Sequence, residues 1–557
     1  MNKEMSMEMR LLLAFLLMGA VLFVTPYFYK PAQQTLPNKN STPKAATVVP
    51  PPEEKAGAVA ETVATEPIPG QINGPSEQTI TVDTELYHVV FSNRGAVVKN
   101  WILKSFKDHA GKPLDLVDQA ANGKVPEPFS FVLKSQTPST DPNQALFQLK
   151  RTEDDLDFEF SDGRTDFKKS FHFLPSSYLV AVTSEVSQSG VLVPNSLEWR
   201  GGFGDSTVIN PANYQHSLYY DSANSKLNIK QVKEAKNGPV SFSGQFSFAG
   251  LEDSYFAAVF LPQAHNGVEL TEYADNVPNA EGKEEQRVGA AVGGDGINTF
   301  ELFVGPKDTN LLKRVDPKLD QLIDWGWFEV IAKPLFVALN WTAQHLARNY
   351  GWAIVIVTIA INLVLFPLRI TSMKSSKKMQ SLQPEIRAIN DKYKGLSMRD
   401  PKKTEQNQEI MDLYKKHGVN PVGGCLPMLL QLPFVYAFYK VLSVGIQMRG
   451  ANWLWVTDLS QPETLPIRIL PVLLIVTQFL SQKMTPNPGV DPSQQKMMML
   501  MPLMLGFMFY YQSSGLVLYW LTGNLVGIAQ QYFLNKSMPA PPVNVISKPA
   551  PKRKNRN

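Results

Sequence analysis

Cysteine is nearly absent: Cys425 is the only one in 557 residues, which excludes an intrachain disulfide and CxxC zinc or thioredoxin-type chemistry. The seven histidines are scattered, with no HExxH and no pair at ligand spacing. There is no GxxxxGK phosphate loop and no GxGxxG after a strand. These absences argue against an ATPase, a zinc enzyme or a Rossmann dehydrogenase, and no cofactor is expected. Strong charge of either sign is also missing. A formal +4 is small for this length, so net charge implies no nucleic-acid partner, and sequence-specific nucleic-acid binding is not expected.

The mean hydropathy of -0.15 averages over a split chain. The first two-thirds is mostly polar, and the last third is dominated by apolar runs too long for ordinary core helices. Residues 11–29, "LLLAFLLMGAVLFVTPYFY", form the first such run. It lacks a clear small-x-small cleavage site and closes on Tyr27, Phe28 and Tyr29, so residues 1–29 read as a retained membrane anchor rather than a cleaved signal peptide. Residues 30–78 hold nine prolines and no aromatic residue, the composition of a disordered linker. From 79 to 323 the texture is β: short alternating or apolar runs such as "FHFLPSSYLVAVTSEV", punctuated by turns such as "FSDGR". That length of short strands predicts one large β-sandwich domain.

Residues 324–349 carry Trp325, Trp327, Trp341 and Lys333 among apolar residues, the pattern of a helix lying in a membrane interface. A five-span core is expected over 350–536, with spans at roughly 350–368, 424–446, 466–482, 497–512 and 515–534. With the anchor this makes six. The segment 369–417 holds twelve Lys/Arg against six Asp/Glu. The tail 537–557 is basic, and the loop 451–465 lacks Lys and Arg altogether. The basic segments belong in the cytoplasm, which puts both termini inside and the β domain outside.

Within the basic loop, residues 375–417 read as a helical hairpin. Met379, Leu382, Ile386, Ile389 and Tyr393 repeat at steps of three and four. Gly395 breaks the first helix, Asp400-Pro401 opens a second, and Gly418 ends it.

The apolar spans carry a few polar residues in register. Thr358, Asn362 and Arg369 stand at i, i+4 and i+11, within about 40° of one another on a helix. Trp520, Asn524 and Gln531 repeat that spacing in the last span, with Gln530 beside them, and Gln431 supplies another amide in the third. Each amide alone could be interhelical glue. Two such stripes, both ending toward the cytoplasm, predict a water-accessible groove that stops part-way across the bilayer. Six methionines, Met497, Met498, Met499, Met501, Met504 and Met508, are a candidate greasy wall for clients of varied shape.

"HGVNPVGGCLPMLLQLPFVYAFYKVL" (417–442) resembles the third-span signature of the YidC-type membrane protein insertases. "SSGLVLYWLTGNLVGIAQQYFLNK" (513–536) resembles their last span, and "QPEI" their cytoplasmic loop. The resemblance implies an ATP-independent insertase and foldase in the inner membrane, in the form from bacteria with two membranes. It implies an external all-β supersandwich domain joined to a polytopic α-helical bundle. Implied partners are nascent membrane proteins, the lipid bilayer, the Sec translocon and, through the basic loop and tail, the ribosome. Groove roles carry over by position to Thr358 and Trp520. The family's groove arginine stands five residues before the second-span proline. Here Asn362 occupies that position before Pro367, and Arg369 follows two turns on. The expected groove therefore has a neutral, amide-lined interior and a cationic mouth at Arg369.

Two other classes compete. A secondary transporter or channel would show repeated spans or paired intramembrane acids, and the C-terminal spans carry no central Asp or Glu. An external carbohydrate enzyme would need His88, His109, His172, His216 or His265 to converge with carboxylates. The β domain is expected to be non-catalytic.

Overall fold

Alternation makes the strands. In Thr165–Phe173 the residues Phe167, Phe171 and Phe173 are buried while their neighbours face outward, because successive side chains on a strand point to opposite faces. The computed structural model describes residues 70–537, except 135–137, 209–210, 264–266, 280–281, 394–399, 420–425 and 485–491. The expected anchor, most of the linker, the basic tail beyond residue 537, Gly395, Cys425 and His265 lie outside the described residues, as do the side chains of Met497, Met498 and Met499.

Three antiparallel sheets form the β domain. The largest has eleven strands: nine run from Gln71–Ile72 through Asp155–Asp162, Thr165–Phe173, Leu179–Gln188, Asn298–Pro306, Phe256–Pro262, Phe246–Glu252 and His216–Asp221 to Lys226–Lys230, while Gln148–Arg151 pairs with Asp155–Asp162 and Val191–Leu192 with Leu179–Gln188 off that path. A five-stranded sheet runs Val240–Gly244, Val268–Pro278, Glu284–Gly294, Asn195–Trp199, Ser130–Leu133, and a four-stranded one spans residues between Thr79 and Asp115. Buried aromatic rings fill the core, with Trp101, Phe129 and Trp199 at centroid separations of 5.8–6.4 Å. The strand at Gln71–Ile72 corrects the expected linker boundary. Gln71 pairs with Asp162 and Ile72 with Ser161, so backbone hydrogen bonding along a sheet edge recruits a segment whose composition carries no strand signal.

The β domain closes with helix α1 (Thr309–Val315), capped by the Asp308 carboxylate on the amides of Asn310 and Leu311. Helix α2 (Glu329–Thr342) follows. It buries Ala332, Leu335, Phe336 and Leu339 and exposes Trp327 at its start, Val330, Val337 and Trp341. Trp325, expected among the interfacial aromatics, is instead buried with its ring 5.0 Å from Phe336. The sequence shows aromatic content there, but only packing decides which ring turns inward.

The remaining helices are α3 (Tyr350–Val364), α4 (Phe366–Ser381), α5 (Gln383–Lys392), α6 (Lys402–Lys416), α7 (Leu426–Val444), α8 (Ile469–Met484), α9 (Pro492–Phe509) and α10 (Ser514–Ser537). Among the described residues no single helix is long and apolar enough to cross a membrane. Glu329–Ala347 and Tyr350–Val364 pass that test only as a pair, bent by 115°. The second expected span is corrected: it is broken at Leu365, not continuous to 368. Helix α10 packs against α3, α7 and α8, with the Tyr519 ring stacked 3.9 Å from that of Phe438.

In the hairpin, Leu382 and Ile386 pack with Tyr414 and Val419 into a small core of their own, and Met379 packs beside them. Ile389 is half-buried. Tyr393 is buried and its hydroxyl donates to Glu409 at 2.9 Å. The Asp400 carboxylate accepts from the Lys402 amide at 3.0 Å, the capping contact that opens α6.

Candidate functional site

Pro367 has no N–H to offer the carbonyl of Leu363, and a helix carrying a proline at that place loses a rung of its ladder. Helix α3 stops at Val364, Leu365 sits at φ −82, ψ −5, and α4 starts afresh at Phe366. Beside this break a cleft opens between α3, α4, α7 and α10. Its polar lining is Asn362, Arg369, Gln431, Tyr519 and Gln530, set among Ile361, Leu365, Leu368 and Phe434. Arg369 is the only charged residue among the described lining residues.

These groups are wired to one another. The Asn362 side-chain amide donates to the Thr358 carbonyl at 2.8 Å. Gln530 donates through Nε2 to the Asn362 carbonyl at 3.2 Å, and its Oε1 accepts from Arg369 Nη1 at 3.1 Å. The guanidinium lies flat against α10 at Gly527, where a Cβ would stand 2.6 Å from Nη2. Arg369 thus lines the same cleft as Asn362, with Gln530 bonded to both. The expected split into a neutral interior and a cationic mouth is not seen: Asn362 and Arg369 line the same cleft.

The second stripe faces elsewhere. The Trp520 ring meets Phe509 at 4.5 Å. Asn524 donates to Gln478 Oε1 at 2.8 Å and to Thr477 Oγ1 at 3.4 Å, and Gln531 Nε2 donates to the Met484 carbonyl at 2.8 Å. All three are turned toward α8 and α9. Thr358 is fully buried, its hydroxyl donating to the Ile354 carbonyl at 2.6 Å within its own helix. Neither Thr358 nor Trp520 lines the cleft. The cleft face of α10 is Tyr519, Gly523 and Gln530, the same i, i+4, i+11 spacing begun one residue earlier and so about 100° round the helix. Tyr519 and Gly523 carried no polar signal in the sequence. Gln530 did, as the amide beside the stripe. Met501, Met504 and Met508 do not line the cleft either, and Met504 is exposed on the outer face of α9.

Residues 341–541 match the family described as 60Kd inner membrane protein, and residues 79–338 match the YidC periplasmic domain. A "Membrane protein insertase YidC" from Syntrophus aciditrophicus is 34% identical, over 95% of this chain and 100% of that protein. The protein of the same name from Geotalea daltonii is 32% identical over 96% of this chain and 100% of its own length. The chain belongs to the YidC family of membrane protein insertases. A solved structure described as "Active YidC insertase crystal structure with the first transmembrane domain resolved" is 21% identical, covering 84% of this chain and 95% of that one, with a TM-score of 0.36. The YidC pattern joins an all-β domain to a helical C-terminal region, and the Arg369 cleft lies in the helical part.

Proposed function

We propose that this insertase accepts the polar tail of a nascent membrane protein from the cytoplasm into the Arg369 cleft, while the client's apolar segment leaves against the exposed helix faces into lipid. The observation that carries this reading is a row of polar side chains, Asn362, Arg369, Gln431 and Gln530, in a cleft sunk among apolar helices. A polar tail in such a cleft keeps hydrogen-bond partners and avoids the cost of crossing hydrocarbon bare. The reading assigns no catalytic residue and no cofactor.

The placement that goes with it is an inner-membrane protein of six spans, both termini and the hairpin in the cytoplasm, and the β domain, here of supersandwich type, in the periplasm. The basic asymmetry of the loops supports this. The short helices either tilt little or sit in a locally thinned bilayer. The basic loop and tail suit the ribosome surface, and the family reading extends to work alone or beside the Sec translocon. A transporter or channel has no support among the relatives described above.

Site-specific crosslinking tests the cleft. Photoreactive groups at Asn362, Gln431 and Arg369 should capture a nascent single-span client, and one at Leu363, on the exposed face of α3, should capture it several-fold less. Equal capture at all four positions rules the cleft out as the client path.

A further inference from the structure

We propose that Gln530 is the positioning residue of the cleft, the group that fixes where its cation stands. The proposal rests on the insertase reading and adds to it a residue that sets client preference. Helices α3 and α4 meet at Leu365, where the rung that Pro367 cannot make is missing and the helix is weakened. Gln530, on a third helix, touches both. Its Nε2 donates to the main-chain carbonyl of Asn362 in the last turn of α3, and its Oε1 accepts from Nη1 of Arg369 in the first turn of α4. A neutral amide is suited to this: it supplies one donor and one acceptor from a single planar group. A carboxylate could not donate to the carbonyl, and an ammonium could not accept from the guanidinium.

The same contact leaves the arginine available. A guanidinium carries five N–H donors, and Nη1 to Gln530 is its one side-chain hydrogen bond among the described residues. Gly527 lets the fork lie against α10, since a side chain there would push it away. Gln530 therefore holds the guanidinium without neutralising it, at a position that lines the cleft. The group it presents to is a carboxylate, the planar anion that a guanidinium fork matches, carried on the polar tail of a client.

The test uses the full chain in proteoliposomes, with a single-span client whose translocated tail carries either two aspartates or two asparagines. The readout is the ratio of acidic-tail to neutral-tail insertion. The wild type should favour the acidic tail by about threefold to fivefold, the scale of one charge contact near water. Gln530→Leu should bring the ratio close to that of Arg369→Gln, and adding it to Arg369→Gln should change the ratio no further. Gln530→Glu guards against simple misfolding: it keeps the arginine engaged but pairs its charge, and should also bring the ratio toward one. A purely structural role would lower both clients together and leave the ratio where it was, which overturns the proposal, as does a wild-type ratio of one. If the wild type inserts neither client above protein-free liposomes, the insertase reading of the cleft fails, and this proposal with it.

Discussion

Arg449, in the loop between α7 and α8, forms a buried ion pair with Asp205 of the β domain. Arg449 also donates to the Lys107 carbonyl at 2.9 Å, and nearby Gln447 donates to the Asp308 carboxylate at 2.7 Å. The two halves of the protein are therefore joined by polar contacts as well as by the chain at Trp325. Removing Arg449 leaves the buried Asp205 carboxylate with His109 and Thr207 only, at a cost below the ~3–5 kcal/mol of a fully unpaired buried charge. Arg449→Ala should loosen the β domain from the helical region while each half stays folded. Limited proteolysis within 308–328 should accelerate, and an unchanged cleavage rate would show that the pair does not hold the joint.

The joint should depend on pH. The hydrogen bond to Asp205 raises the His109 pKa above its ordinary value, against the opposing effect of burial. Burial alone would raise Asp205, but hydrogen bonds from His109 and Thr207 and the Arg449 charge outweigh it and hold the carboxyl well below the usual range. A raised histidine contributes fully below its ordinary pKa and loses that contribution as pH rises through the raised value. A depressed carboxylate contributes fully above its ordinary pKa and loses it as pH falls through the depressed one. Within the β domain both contributions are present between about pH 4 and pH 6.5. Across the joint the Arg449 charge opposes protonation of His109, so distances between spin labels on the β domain and on α7 should narrow as pH rises through the raised histidine value, and His109→Gln should remove that change.

Lys169 should be structural. It is fully buried on an inward-facing strand position, and its Nζ donates to the carbonyls of Gly95 at 3.2 Å, Ala96 at 2.9 Å and Phe129 at 2.5 Å. Ala96 and Phe129 hold positive φ angles of 50° and 71°, so the lysine ties two strained turns together. Burial draws its pKa well below the usual lysine range. Lys169→Met should cost the β domain about 3 kcal/mol or more, because buried carbonyls lose their donor. Denaturant titration of the full chain, followed by tryptophan fluorescence, measures it.

The hairpin should come apart separately. Ile386 is buried in a seam of four residues that shares nothing with the main core. Ile386→Asp should unzip α5 from α6 and speed amide exchange there by at least tenfold, with exchange in the β domain unchanged. Equal acceleration in both regions would mean that the hairpin is coupled to the rest.

The cleft should tolerate a moved charge. Arg369→Ala should impair acidic-tailed clients by about fivefold at most, since an attraction near water is worth only ~1 kcal/mol. Asn362→Arg in that background should recover insertion, because both positions line one cleft. No recovery would mean that the two positions do not serve the same client group.

The sequence by itself determined the class of this protein. Apolar runs, basic loops and the absence of nucleotide and metal motifs are local properties of composition, so they survive without coordinates. So are the β texture of 79–323 and the stripe Met379, Leu382, Ile386, Ile389 and Tyr393, which follow from period and need no partner to be read. The cleft was half legible. Asn362, Arg369 and Gln431 stand where their polarity in an apolar setting suggested, while Trp520, Asn524 and Gln531 turn toward α8 and α9. Spacing tells which residues share a helix face, but not which way that face points. That rotation is set by packing: Tyr519 stacking on Phe438 and Asn524 finding Gln478 turn α10 so that Gln530, one step off the stripe, meets the broken end of α3. Only the tertiary structure could place the Arg369 guanidinium on Gln530, because the bare surface at Gly527 lets its side chain lie against α10.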